Sequence, residues 1–241
     1  MKPVSLSLAI GCFALCALGV SGLSRSPRTS PIAPAPAAQD SGKFVYADFE
    51  TLNNGRPVSS RGGLVKLMSY QESPSNQCTF KGMGGDNKDA PESVRLSKDS
   101  PNKAIAFDYQ LVGPNQFGGV GVQIHGLPDK DGKPAPEDLS AYKNLSIQLF
   151  ETGVPSLRVE FVSNGNGIIT SAYPQTTVKI SPGFNTYEIR LKSLLQPPWK
   201  DNMVDTKDVL KKLTSINITA ACGPCTQVSG KIVVDNLVFE N

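Results

Sequence analysis

Apolar and polar residues alternate with a period of two in short runs along most of the chain. The runs are "KFVYADFE", "KAIAFDYQLV", "GGVGVQIHGL", "NLSIQLFE", "SLRVEFVS", "TTVKIS", "NTYEIRLKSL", "TSINITA" and "KIVVDNLVFE", separated by Gly, Pro, Asn and Asp. A two-residue period sends successive side chains to opposite faces, so each run predicts a strand with one buried side. Helical spacing occurs only in "TKDVLKKL", where Val209, Leu210 and Leu213 share one face over about two turns. The economical architecture for nine such strands is all-β: an antiparallel β-sandwich or jelly roll.

The same alternation assigns faces. Val120, Val122 and Ile124 oppose Gln123 and His125; Leu145, Ile147 and Leu149 oppose Gln148; Leu157, Val159 and Phe161 oppose Arg158 and Glu160. One sheet is therefore expected to carry an outer face of Gln123, His125, Gln148, Arg158 and Glu160. Such a face is either simply solvated or binds a ligand rich in hydroxyls, since amides, guanidinium, carboxylate and imidazole together supply donors and acceptors.

The first 42 residues have a different character. Residues 1–23 place Lys2 before an uncharged apolar run, which predicts a signal peptide, or an uncleaved anchor that tethers the protein to a membrane. Residues 24–42 are rich in Pro, Ala and Ser and predict a tether. Residues 43–241 then form one binding domain, secreted or held outside the cytoplasm in the periplasm or cell envelope. Without the leader the charged side chains number 21 basic against 20 acidic, Lys2, Arg25, Arg28 and Asp40 having been taken from 24 and 21. That near-balance argues against nucleic acid as a partner, because a binder of phosphate backbones needs a concentrated basic surface.

Cys222-Gly223-Pro224-Cys225 matches the dithiol motif of thioredoxins. A catalytic pair needs a helix after it to lower the first thiol's pKa, whereas here strands are predicted on both sides. A structural disulfide or a plain turn is the expectation for Cys222 and Cys225, although spacing alone leaves Cys78 as a partner for Cys222. No Ser/His/Asp order or metal motif surrounds the single histidine, and Glu160 is the one acid placed near a potential cleft, so the chain is read as a non-enzyme.

"DLSAYKNLSIQLFE" resembles the D-L-S-x-Y-x-x-L-x-F approach to a central strand in galactose-binding-like β-sandwiches. "FVYADFE", "FNTYEIRLKSLLQPPW", "KKLTSINI" and "GKIVVDNLVFE" are similar to further segments of that group, in the same order. Phe184 and Leu195 replace two expected aromatics. The resemblance points to family 11 carbohydrate-binding modules, and hence to a polysaccharide such as a β-glucan as partner. The alternative is a protein-interaction or assembly-factor domain of the complex I intermediate-associated type, whose M-G-G-x-S stretch is matched by "KGMGGDNKD" without the serine. The resemblance also implies a structural calcium ion at Asp48, Glu50 and Asp235, with Tyr173, Trp199 and Tyr109 as candidate aromatic platforms beside the polar face.

Overall fold

A computed structural model describes residues 42–70, 77–81, 89–126, 135–163, 173–197 and 204–241. The signal or anchor segment 1–23, the tether up to residue 41, and Trp199 lie outside the described residues. Among those described, strands run as β1 (Lys43–Ala47), β2 (Leu52–Asn53), β3 (Arg56–Pro57), β4 (Val65–Tyr70), β5 (Gln77–Lys81), β6 (Glu92–Arg95) and β7 (Lys103–Val112). They continue as β8 (Gln116–Gln123), β9 (Asn144–Glu151), β10 (Ser156–Val162), β11 (Gln175–Lys179), β12 (Asn185–Arg190), β13 (Ser215–Cys222) and β14 (Gln227–Glu240).

The strands form an antiparallel β-sandwich. One sheet has seven strands in the order β12-β9-β14-β7-β5, with β1 joining β14 and β6 joining β7; the second has five, β11-β10-β13-β8-β4; and β2 and β3 form a separate two-stranded hairpin. All nine runs of alternation are strands. Their predicted inner residues are fully buried: Val120, Val122, Ile124, Leu145, Ile147, Leu149, Leu157, Val159 and Phe161 are each 0% exposed. Burial of a side chain of this size contributes about 1.5–3 kcal/mol, so these inner rows drive the sheets together.

The helical turn is also present, as α1 (Thr206–Leu210). Asp205 caps it by accepting from the Lys207 N–H at 2.7 Å, while Val209 and Leu210 are buried. Leu139 N donates to the Leu210 carbonyl, and Leu213 pairs with Glu137, so the turn closes one end of the core.

Near the opposite end a polar pair is enclosed. Tyr109, proposed above as a platform, points inward at 3% exposure and donates its hydroxyl to Glu151 Oε1 at 2.7 Å. Gly153 N and Val154 N donate to the same oxygen, whereas Oε2 is buried without a partner. The neighbour opposite Tyr109 on β14 is Gly230, where a Cβ would come within 2.7 Å of the Tyr109 hydroxyl. Burial pushes the Glu151 carboxyl above its ordinary value, partly offset by the hydrogen bonds from Tyr109 and from the backbone amides of Gly153, Val154 and Thr152.

The fold thus holds this proton to higher pH than the unfolded chain does. Stability from this group falls as pH rises from the ordinary carboxyl range through the raised value. Glu151→Gln, which cannot titrate, is expected to flatten that part of the stability curve, measured by urea unfolding across pH 4–7.

Candidate functional site

Antiparallel register builds the outer face of the five-stranded sheet row by row. Lys66, Gly121, Asn217, Glu160 and Gln175 align across β4, β8, β13, β10 and β11; Met68, Gly119, Thr219, Arg158 and Thr177 form the next row. The third row brings Tyr70 beside Phe117 and Ala221. At about 4.8 Å between strands, the rows extend roughly 19 Å.

The middle of the face lies low because β8 carries Gly119 and Gly121 there. A Cβ on Gly119 would run into the Ile218 carbonyl, so the close approach of β13 requires glycine. At Gly121 a Cβ would lie 3.1 Å from Asn217 Oδ1 and 3.4 Å from Met68 Sδ, which shows those two side chains leaning over the gap.

Arg158 and Glu160 are the centre of a network. Arg158 Nε lies 3.2 Å from Glu160 Oε1, and Asn217 Nδ2 donates to Glu160 Oε2 at 3.4 Å. The Arg158 guanidinium lies over the Phe117 ring, 4.5 Å from its centroid. Tyr70 stacks on the same ring at 4.9 Å and 9°. These contacts leave the side chains of Arg158 and Glu160 only 17% and 13% exposed, so they are packed components rather than freely solvated ones.

Polar capacity remains unused. Thr219 Oγ1 and Gln175 Oε1 are buried with no hydrogen-bond partner, and Arg158 Nε, though within ion-pair range of Glu160, is not aimed for a hydrogen bond. Buried polar atoms are normally satisfied, and three unsatisfied ones on a single face is an unusual concentration.

Other predicted face residues have different settings. Gln123 stands opposite Ser215 on the same face. His125 lies past the end of β8, with Nε2 2.9 Å from Glu137 Oε2. Tyr173 adjoins the face two residues before Gln175, and burial together with the Glu160 carboxylate pushes its hydroxyl pKa up.

Gln148 requires a correction: it belongs to the opposite, seven-stranded sheet. Strand β9 pairs with β12 and β14, so Gln148 faces Thr186 and Asp235, and its Oε1 accepts from Asn236 Nδ2 at 3.2 Å. Alternation distinguishes inside from outside but carries no information about which sheet a strand joins.

Around Gln148 the three predicted metal ligands come near one another. Asp235 is fully buried, held by Asn102 Nδ2 at 2.9 Å and Asn236 N at 2.8 Å; Glu50 Oε1 accepts from Lys103 N at 2.8 Å, and Asp48 Oδ1 from Glu50 N at 3.2 Å. Burial pushes the Asp235 carboxyl up to about 6, with Glu50 and Asp48 adding to the shift. Among the described residues, however, no three His, Cys, Asp or Glu side chains are grouped as a metal ion requires.

The cysteine motif is structural. Cys222 and Cys225 form a disulfide in the turn that carries the chain from β13 in one sheet to β14 in the other. Asn115 N donates to the Gly223 carbonyl and Gly113 N to that of Thr226, binding this turn to the one between β7 and β8. Cys78 is a free thiol, pushed up to about 11 by burial. With strands on both sides no helix dipole reaches Cys222.

The face residues absent from the sequence reading are Tyr70, Phe117, Asn217, Thr219 and Gln175. Two signals mark three of them: glycines at alternate positions of "FGGVG" for Phe117, and the polar members of "SINIT" for Asn217 and Thr219; Tyr70 and Gln175 carry no such signal.

No family model matches the chain, and no curated protein matches it. Among solved structures it is similar to the family 11 carbohydrate-binding module of the cellulosomal cellulase Lic26A-Cel5E of Clostridium thermocellum, with 17% identity over 83% of this chain and 95% of that one, at a TM-score of 0.47. The family 11 module from Clostridium thermocellum in complex with a β-1,3-1,4-mixed-linked tetrasaccharide shows 16% identity, with 83% and 96% covered, at 0.47. A family 30 module of the Clostridium thermocellum cellulase Cel9D-Cel44B shows 11% identity, with 74% and 98% covered, at 0.45. At these identities and scores they decide neither ligand nor site.

Reduction of the Cys222–Cys225 bridge is expected to cost about 2 kcal/mol, the loop-closure value for so short a separation, without unfolding the domain. Urea melts with and without reductant measure it, and the oxidised protein should not turn over a dithiol substrate.

Proposed function

We propose that this protein is a non-catalytic carbohydrate-binding module that takes a β-glucan or related polysaccharide across the outer face of its five-stranded sheet. The observation that carries this reading is the Arg158–Glu160–Asn217 network set beside the Tyr70–Phe117 stack on adjoining rows. Sugar rings present apolar faces and hydroxyl rims, so a useful surface combines an aromatic platform with fixed donors and acceptors. Here Tyr70, 49% exposed, offers the platform, and Arg158, Glu160, Asn217 and Gln175 offer the polar side chains. Gln123 and Tyr173 extend the surface at its margin, and Trp199, outside the described residues, belongs to the same proposal as a second platform. Because strands hold the side chains in place, a ligand need not order a loop first, which limits the entropic cost of binding.

Export fits the same reading. The disulfide and the apolar stretch within 1–23 support a protein secreted or kept at the cell envelope, with that stretch as its membrane tether if it is retained.

The face assignment is tested by retention on a β-1,4- or mixed-linkage glucan. Tyr70→Ala is expected to weaken binding about fivefold, because stacking on an exposed ring is worth around 1 kcal/mol, and to lower stability by about as much because its stack on Phe117 is lost. Arg158→Ala is expected to weaken binding and also to lower stability by about 1 kcal/mol, since its stem and its contact with Phe117 are lost together. Intact retention in both variants, or no binding of the unmodified protein to any soluble glucan, would overturn the reading.

Calcium at Asp48, Glu50 and Asp235 is proposed alongside. Hard oxygen ligands suit that ion, and a cation would offset the cost of burying the Asp235 carboxylate, which raises its pKa, and also the smaller repulsion from Glu50 and Asp48, with carbonyl oxygens completing the shell. Millimolar calcium is expected to raise the melting temperature relative to chelator, in line with about 2.7 kcal/mol when free calcium is 100 times Kd. Identical melting curves would remove the ion.

A further inference from the structure

A second surface is distinct from this face and belongs to the edge of the seven-stranded sheet. Tyr142, Lys143, Asn144, Glu188, Arg190 and Lys192 line a groove of about 400 Å³. A further depression of about 310 Å³ shares Glu188 and Arg190 with it and continues past Lys179 on β11. The two form one track around edge strand β12.

The basic groups on this track are held in place by backbone. Lys143 N donates to the Glu240 carbonyl at 3.0 Å, and the Lys143 carbonyl accepts from Leu191 N at 2.9 Å. That second bond fixes the 3-10 turn Leu191–Ser193, which carries Lys192 and is anchored by buried Leu191. Arg190 stands directly opposite Asn144 in the β12–β9 ladder. The Tyr142 ring, set against Phe44 and Phe239 at centroid distances of 6.3 and 6.0 Å, makes a firm wall.

Charge on the track is not balanced. Among the described residues, Lys143, Arg190, Lys192 and Lys179 make no ion pair, and Glu188 is the one acid lining either depression. The adjacent carboxylate of Glu240 is already engaged by Lys43 at 3.0 Å. Like charges fixed on hydrogen-bonded backbone repel one another, and a bound anion reverses the sign of that interaction. The rest of the domain is close to neutral, so the excess is local.

We propose that this track binds an extended anionic polysaccharide, its carboxylates or sulfates meeting Lys143, Arg190, Lys192 and Lys179 while Asn144 and Glu188 take neighbouring hydroxyls. An extended ligand is favoured over a small anion because the cations are spread along two connected depressions instead of converging on one point. The shared chemistry is a sugar ring bearing a fixed negative charge, as uronate or as sulfate ester.

Affinity electrophoresis of the full chain in gels containing polygalacturonate, dextran sulfate or a neutral mixed-linkage glucan tests it. The unmodified protein should be retarded by one or both polyanions, polygalacturonate reporting uronate and dextran sulfate reporting sulfate. Retardation should fade as salt rises from about 0.05 to 0.5 M, as screening requires. The double variant Arg190→Ala, Lys192→Ala should lose about tenfold in polyanion affinity with an unchanged melting temperature, and Arg190→Lys should retain most of it. The tether's Arg25 and Arg28 are common to all variants, so the difference reports the track. No retardation by either polyanion, or retardation indifferent to the double substitution, would overturn the proposal. Loss of neutral-glucan binding alone would count against the five-stranded face and leave this track standing.

Discussion

The backbone ladder of β14 is the constraint on which the rest of the sandwich depends. Over Ile232–Glu240 it pairs with β9 along one edge; along the other it pairs first with β7 and then with β1. A strand bonded on both edges and buried on its inner side cannot slip by one residue without turning Ile232, Val234 and Phe239 out of the core. Against β9 the pairing shifts register between Asp235 and Val238, with Asn236 at φ 48°, which places the buried Asp235 carboxylate beside Gln148; against β1 it shifts between Val45 and Ala47. The disulfide stands just before this strand, where the chain has crossed from the other sheet.

The polar outer faces follow from the same register but differ in kind. On the five-stranded sheet, Gly119, Gly121 and Ala221 remove bulk from the inner strands, so Arg158 can lie down across its neighbours and join Phe117. Its charge is thereby fixed near Glu160 instead of sampling solvent, which suits directional hydrogen bonding better than long-range attraction. On the seven-stranded sheet the basic groups stand exposed at an edge, where electrostatic attraction is screened by salt and directionality is weak.

Much of this was legible in the sequence. The runs with clean alternation all became strands, and the inner residues they nominated are the core, because sheet geometry imposes a period of two on any strand with one dry side. The strands that escaped notice are β2 to β6: β2, β3 and β6 have only two to four residues, and in β4 "VKLMSY" places Met68 and Tyr70 on the outer face, where they blur the contrast. Partnership between strands was not legible. Gln148 shares its alternation with Glu160 yet lies on the other sheet, since pairing is decided by contacts far apart in sequence. Nor could burial of Arg158 be read locally, as it depends on small residues two strands away. Turn chemistry around the cysteines was legible, because strand patterns on both sides exclude a helix.

Asn217-Ile218-Thr219 has a consequence for production of the protein. The triplet is an acceptor sequence for N-linked glycan, yet Asn217 is 8% exposed and Thr219 0% in the middle of a strand bonded on both edges. Enzymatic attachment needs an accessible, extended segment, so a folded domain is closed to it. A glycan added during translocation in a eukaryotic host would occupy the space above Gly121 that the Asn217 side chain now fills, and would prevent β10 and β13 from presenting a common surface. Bacterial expression, or an Asn217→Gln chain in a secretory host, avoids that heterogeneity.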